Sequence, residues 1–539
     1  MGSLGEGCNL LRLYLHEIET GIFGAFVRYV NIVFESFDRL CMSPTTALIL
    51  ILGYFLLLVA ISFLTSKTAD NQSFFTANRQ APWYLVAFGM IGATLSGVTF
   101  ISVPGAVGAG GANQAFAYMQ LVLGYVVGYI VIAKVLLPVY YRLKLTSIYA
   151  YLDQRFGNTS YKTGAGYFLV SRIIGASFRL YLVAIVMDKF ILGPLNIPFA
   201  VTVAAAIVLI WIYTFRGGIK TVVWTDTFQT AAMLLAVFLT VGAIAGQMDL
   251  GIGGIIDRIG DSPYGKVFFF ENGWSDPNNF FKQFLAGMFL TIVMTGLDQD
   301  MMQKNLTVKT LKDAQLNMYT FTGILVMANI LFLTLGAMLY LHAGDQGIAI
   351  PESADQLFPT IALEHLPPVI GIVFLLGLIA AAYSSADSAL TALTTSFCVD
   401  FLGFEKKPST PQLKQTRWFV HAGFSVVLFI VIVIFREIND RSVINQLFTV
   451  AGYTYGPLLG FYALGLFTRV QIRDQWSPLI CILSPILTYI ISTQSEAWIG
   501  YKFGFELLIL NGLLTFVGLL LIQKDPDDSP SIDDIGSSS

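Results

Sequence analysis

Residues 380–395 read AAAYSSADSALTALTT and lie inside a membrane-length apolar run that begins near Val369. They carry one carboxylate, Asp387, and hydroxyls on Tyr383, Ser384, Ser385, Ser388, Thr391, Thr394 and Thr395. On a helix, Ala381, Ser384, Ser388, Thr391 and Thr395 fall in one stripe, with Asp387 at its border. Small residues and hydroxyls let helices approach closely in a bilayer, so packing accounts for the Ala and Ser positions. It accounts poorly for Asp387, because an intramembrane carboxylate is expensive and marks a functional position by default. The chemistry open to such a stripe is oxygen ligation of a hard cation.

Other polar groups sit at similar depth. The run AFGMIGATLSGVTFISVPGAVGAGG is weakened by Gly92, Gly97, Pro104 and Gly105 and interrupted by Thr94, Ser96, Thr99 and Ser102. A helix that unwinds there frees backbone carbonyls, which is tolerated at bilayer depth only where the backbone is buried in protein or lines a cavity. FLAGMFLTIVMTGLDQDMMQKNL has the same character, with Gly296 followed by Asp298, Gln299 and Asp300. Its two carboxylates fit either a second break or the cytoplasmic end of a span. Arg172 and Arg179 are seven residues apart on one predicted helix and share a face. A mid-membrane Arg should meet a carboxylate, a carbonyl or an anionic solute. Asp226, in RGGIKTVVWTDTFQ, lies near the start of another span, where the helix dipole alone would favour it.

The elements that must position these groups are membrane helices. Of 539 residues 55% are hydrophobic and 12% charged, against about a quarter charged in soluble domains. Mean hydropathy is +0.70. The net charge of -3 argues against a nucleic-acid partner. Four cysteines and four histidines are scattered, with no disulfide framework, metal-ligand spacing or nucleophile–base motif, so no enzyme is expected and no cofactor. The hydropathy predicts an all-α polytopic membrane protein of about thirteen transmembrane helices between 44 and 522. The two weakened runs fall at matching positions of two five-helix halves, the pattern of an inverted-repeat transporter with a central site.

The expected organisation is an amphipathic N-terminal segment or extension over 1–43, and a peripheral first helix over 44–66. Two repeats over 82–246 and 280–468 follow, then two peripheral helices over 473–522 and an acidic disordered tail over 523–539. The connections holding Arg142, Lys144, Arg155, Lys162, Lys304, Lys309, Lys312, Lys406, Lys407, Lys414 and Arg417 are the basic ones. By the positive-inside rule they are cytoplasmic, so the N-terminus lies outside and the C-terminus inside a cell membrane.

The segments SGVTFISVPG (96–105), LTSIYAYLDQRFG (145–157), RGGIKTVVWTDTFQ (216–229), GLDQDMMQ (296–303), AAAYSSADSALTALTTSFCVDF (380–401) and YGPLLGFYALGLF (455–467) together resemble the sodium/solute symporter family. That family includes sodium-coupled carriers of sugars, proline, sialic acid, iodide, pantothenate and monocarboxylates, and the likeness covers about residues 44–470. It implies a five-plus-five inverted repeat with broken first and sixth core helices. It further implies a common sodium site at Gly92, Leu95, Ala381, Ser384 and Ser385. A second ion site is implied at Asp226 with Ser384 and Ser388. Asp387 stands where the sialic-acid carriers have a Ser ligand, so it joins that second set. Thr94, Ser96 and Thr99 match the substrate positions of the sialic-acid type, and Gln120 falls within about two residues of their substrate-binding Gln. Arg179 is a candidate clamp for a carboxylate.

The function these readings predict is sodium-coupled symport of a small polar organic solute by alternating access, with a sugar or a sugar acid such as sialic acid favoured. Sodium is the coupling ion, and the partners are the solute, Na+ and the lipid bilayer, with no obligate protein partner. The alternatives are a sodium- or proton-coupled carrier of a monocarboxylate, amino acid or vitamin, and beyond those a channel or a sensor.

Overall fold

The computed structural model describes residues 44–65, 71–271, 273–407, 410–438 and 443–524. The segment expected over 1–43 and the acidic tail from 525 onward lie outside the described residues. The described chain is almost entirely helical and contains no β-strand, only two isolated bridges.

The first helix, α1 (Pro44–Thr65), precedes the core. A broken pair follows, α2 (Trp83–Thr94) and α3 (Gly97–Ala109), and then α4 (Tyr118–Val131), α5 (Asn158–Met187), α6 (Phe199–Gly217) and α7 (Ile219–Gln247). A second broken pair comes next, α8 (Phe280–Thr291) and α9 (Gln299–Asn305). The core continues with α10 (Leu311–Gln346), α11 (Pro368–Ser396), α12 (Pro411–Ile438), α13 (Val443–Thr454) and α14 (Gly456–Phe467). It ends with α15 (Ser477–Ile499) and α16 (Leu507–Leu521). Among the described residues seven helices are long and apolar enough to cross a membrane, nine when each broken pair is one span, and four shorter apolar helices accompany them. Large apolar side chains such as Phe419, Trp498 and Leu521 stay exposed on the outer helices, as a lipid-facing surface requires.

Two breaks occur where the sequence predicts them. α2 and α3 meet at 58°. Leu95 (φ -81, ψ 75) and the extended Ser96 (φ -75, ψ -180) leave the helical region between them. Gly on both sides and hydroxyl residues within the junction make helix the weaker choice here, and a helix end leaves its last four carbonyls without intrahelical partners. The second break bends by 68°. A π-helical turn, Ile292–Gly296, ends α8, and the Asp298 carboxylate restarts the chain by accepting the backbone N–H groups of Asp300 (2.9 Å) and Met301 (3.4 Å).

α13 and α14 are separated only by Tyr455, which keeps helical dihedrals (φ -92, ψ -12), with Pro457 in the first turn of α14. The signal for this junction was present in TYGP, since Pro pre-sets a helix start and disfavours helix before it.

Packing brings the pieces together. α7 lies against α11 and α2, α10 against both halves of the first break, and α4 against α8. α4 and α8 approach backbone to backbone: a Cβ at Gly128 would stand 2.7 Å from the Met288 carbonyl oxygen, and one at Gly287 would strike Leu121 O. Only glycine permits that approach.

Candidate ion and solute site

The first break, α5, α8 and α13 enclose a cavity of about 70 Å³. Thr94, Leu95, Ser96 and Thr99 line it from the break, and Arg172 and Arg179 from α5. Tyr118, Tyr125 and Tyr129 line it from α4, Thr291 and Thr295 from α8 and its π turn, and Asn329 from α10. Leu290, Met294, Leu325 and Phe448 form apolar wall.

The two arginines differ. Arg172 lies against the Asp300 carboxylate, and its Nη1 is 4.0 Å from Asp298. Those carboxylates are held in turn: Tyr455 donates to Asp298 at 2.5 Å, and Ser388 donates to Asp300. Arg179 is 7% exposed, and its Nε and Nη1 have no hydrogen-bond partner. No carboxylate of the described residues is ion-paired with it. Of the two readings open to Asp298 and Asp300, the structure supports the intramembrane break: both are fully buried.

Next to the cavity, α2 and α7 meet α11. The Gly92 N–H donates to Thr230 Oγ1 at 2.9 Å, and a Cβ at Gly92 would stand 2.9 Å from Ser384 Oγ. Leu95 closes α2 one turn on. Ala381, Ser384 and Ser385 are one turn of α11, all buried, and Ser385 Oγ has no protein partner. Thr94 Oγ1, on the opposite wall, is also buried and without a partner. Hydroxyls of this kind are costly to leave unpaired, and neutral oxygens beside a helix end suit a hard monovalent cation.

Of the second ion set, Asp226 and Ser384 meet directly, while Asp387 and Ser388 turn to other partners. Asp226 holds Lys304 Nζ at 2.6 Å with one oxygen and accepts Ser384 Oγ at 2.6 Å with the other. Asp387 accepts Tyr213 OH at 2.8 Å and keeps its other oxygen free of hydrogen bonds. Ser388 turns to Asp300. Lys304, read in the sequence as a cytoplasmic surface charge, is 1% exposed and occupies the Asp226 carboxylate. Arg417, counted with it, is buried as well and stacks on the Phe74 ring at 4.1 Å.

Gln120 lies away from the cavity. Its amide donates to the Asn278 carbonyl at 2.8 Å and accepts from Phe269 N–H at 3.1 Å, fastening α4 to the segment before α8. Tyr118, two residues earlier, lines the cavity instead. The sequence reading missed Lys304, Tyr455, Thr230, Asn329 and the tyrosines of α4. Asn329 offered a signal as a lone amide in an apolar run, whereas the tyrosines suit any membrane helix.

The sequence profile described as the sodium:solute symporter family matches residues 74–471. The chain belongs to that family. Among its relatives, the sodium/sialic acid symporter of Aliivibrio fischeri is 25% identical over 468 residues, covering 83% of this chain and 88% of the relative. The human sodium-coupled monocarboxylate transporter 1 is 27% identical over 410 residues, 74% of this chain and 64% of that longer protein. Among solved structures, a substrate-bound, outward-open sodium-coupled sialic acid symporter superposes with a TM-score of 0.75 at 19% identity, over 89% of this chain and 98% of that one. At that identity the likeness concerns the fold. The protein is therefore a multi-pass membrane transporter of the symporter family, with broken first and sixth core helices.

Proposed function

We propose that this symporter couples sodium to the entry of a small solute bearing a carboxylate, a sugar acid first among them. The observation that carries the reading is Arg179: a buried guanidinium without a carboxylate partner, facing a cavity lined by Thr94, Ser96, Thr99 and Asn329. The carboxylate would meet the Arg179 fork, and the hydroxyl residues of the break would take the polar body. Sodium would bind at Gly92, Leu95, Ala381, Ser384 and Ser385, tying the unwound end of α2 to α11. Ion and solute affinities then rise together, because coupling is reciprocal. With the N-terminus outside and the C-terminus in the cytoplasm, one sodium charge crossing 100 mV supplies roughly 2.3 kcal/mol.

A second solute class, a monocarboxylate with an aliphatic body, is favoured by the apolar wall of Leu290, Met294, Leu325 and Phe448. Two relatives whose names concern sialic acid and monocarboxylates support the same pair of solutes. Uptake into proteoliposomes under an inward sodium gradient, with sugars, sugar acids, monocarboxylates and amino acids as competitors, separates the two classes. Replacing sodium by choline at fixed pH should abolish accumulation; uptake that survives it makes the coupling ion a proton.

A further inference from the structure

The cavity holds two guanidiniums two turns apart on α5, and they differ in what already neutralises them. Arg172 has the Asp300 carboxylate against one nitrogen and Asp298 at 4.0 Å from another. Neither carboxylate is free to swing away, since Ser388 holds the second oxygen of Asp300 and Tyr455 holds Asp298. Arg179 faces the same cavity with Nε and Nη1 buried and without partners. We infer that Asp300 sets the charge class of the solute: by occupying Arg172 it leaves one free guanidinium in the cavity, so the site takes a solute with a single carboxylate and rejects the dicarboxylate of the same frame. This rests on the reading of Arg179 as the carboxylate partner.

The physical reason is like-charge exclusion at low dielectric. A second carboxylate in the cavity would be directed to Arg172, the one other cation on its wall. There it would meet the Asp300 carboxylate that already holds that cation, with Asp298 4.0 Å away adding to the repulsion. Asp300 itself is not on the cavity wall. It acts through Arg172, and Ser388 acts through Asp300.

The test uses the full chain in proteoliposomes and two pairs of probes matched in length: gluconate with glucarate, and butyrate with succinate. Each is measured as a competitor of sodium-driven uptake and by thermal stabilisation in sodium against choline. The wild type should bind the monocarboxylate of an accepted pair at least tenfold more tightly than its dicarboxylate. Asp300→Asn, which keeps the shape and frees Arg172, should shrink that ratio at least tenfold or invert it. The double variant Arg172→Gln/Asp300→Asn removes both charges and should return the wild-type ratio, which a merely structural role for Asp300 does not produce. A wild type that binds carboxylates but prefers the dicarboxylate overturns the inference alone, as does a double variant that has lost the wild-type ratio. Binding of neutral sugars with no binding of any carboxylate overturns the role of Arg179, and this inference with it.

Discussion

The two predicted breaks are built from opposite materials. The first, at Leu95 and Ser96, carries no charge and leaves polar atoms unmet: Thr94 Oγ1 within it and Ser385 Oγ on the facing helix. The second, at Leu297 and Asp298, carries three charges, and each is already held. Asp298 has Tyr455, Asp300 has Arg172 and Ser388, and Lys304 has Asp226. One break keeps oxygens without a protein partner, and the other binds α5, α7, α11 and the α13–α14 junction into one polar network. A helix interruption in a transporter is therefore not by itself a site. What decides is whether its polar groups are already partnered within the protein.

The contrast can be broken most forcefully at the second break. Lys304→Met leaves the buried Asp226 carboxylate without its cation, a loss of roughly 3–5 kcal/mol. Unfolding in detergent should show it, and Asp226→Asn/Lys304→Met should recover most of the stability. A single variant as stable as the wild type would show that the network does not hold the fold. Next in size is Arg179→Ala, which removes a buried charged partner worth roughly 2–4 kcal/mol in binding. Affinity for a carboxylate solute should fall on the order of 30- to 1,000-fold, with little change for a neutral analogue. Equal losses for both would make Arg179 structural.

Smaller effects belong to the first break. Ser384→Ala removes both a proposed sodium oxygen and the donor to Asp226, a hydrogen bond to a charged group worth roughly 1.5–3 kcal/mol. The sodium concentration for half-maximal uptake should rise by roughly tenfold or more; an unchanged value in a well-expressed variant leaves Ser384 as a partner of Asp226 only. Gly92→Ala keeps the backbone carbonyl but sets a methyl 2.5 Å from Thr230 Oγ1 and 2.9 Å from Ser384 Oγ. Overpacking of this kind costs roughly 1–3 kcal/mol, read as a severalfold rise in the same sodium concentration. Full wild-type sodium dependence would mean that the two hydroxyls move aside freely.

Much of the architecture was legible because bilayer physics is strict. Long apolar runs must be helices, and Gly, Pro and hydroxyl residues at depth mark the places where they fail. The hydroxyl stripe through Ser384 and the shared face of Arg172 and Arg179 could be read from spacing alone, whereas Ser385 follows from the family resemblance. What spacing does not encode is partner choice. Asp226, Asp387 and Ser388 belong to one expected set, yet they face Lys304 and Asp300 on α9 and Tyr213 on α6. Lys304 looked like a surface charge because it follows a span. The 68° bend turns α9 back into the protein and buries it. Gln120 turns to Asn278 and Phe269 while Tyr118 lines the cavity, since two residues on a helix move a side chain to another face.

The glycine contact between α4 and α8 has a mechanical consequence. Backbones that touch through Gly124, Gly128 and Gly287 have no side-chain layer between them to shear or repack. α4 and the first half of the sixth core helix should then travel as a single rigid strut through the transport cycle. Spin labels on their lipid-facing sides should report one unchanging separation in every state. The same label on α8 paired with one on α15 should report two.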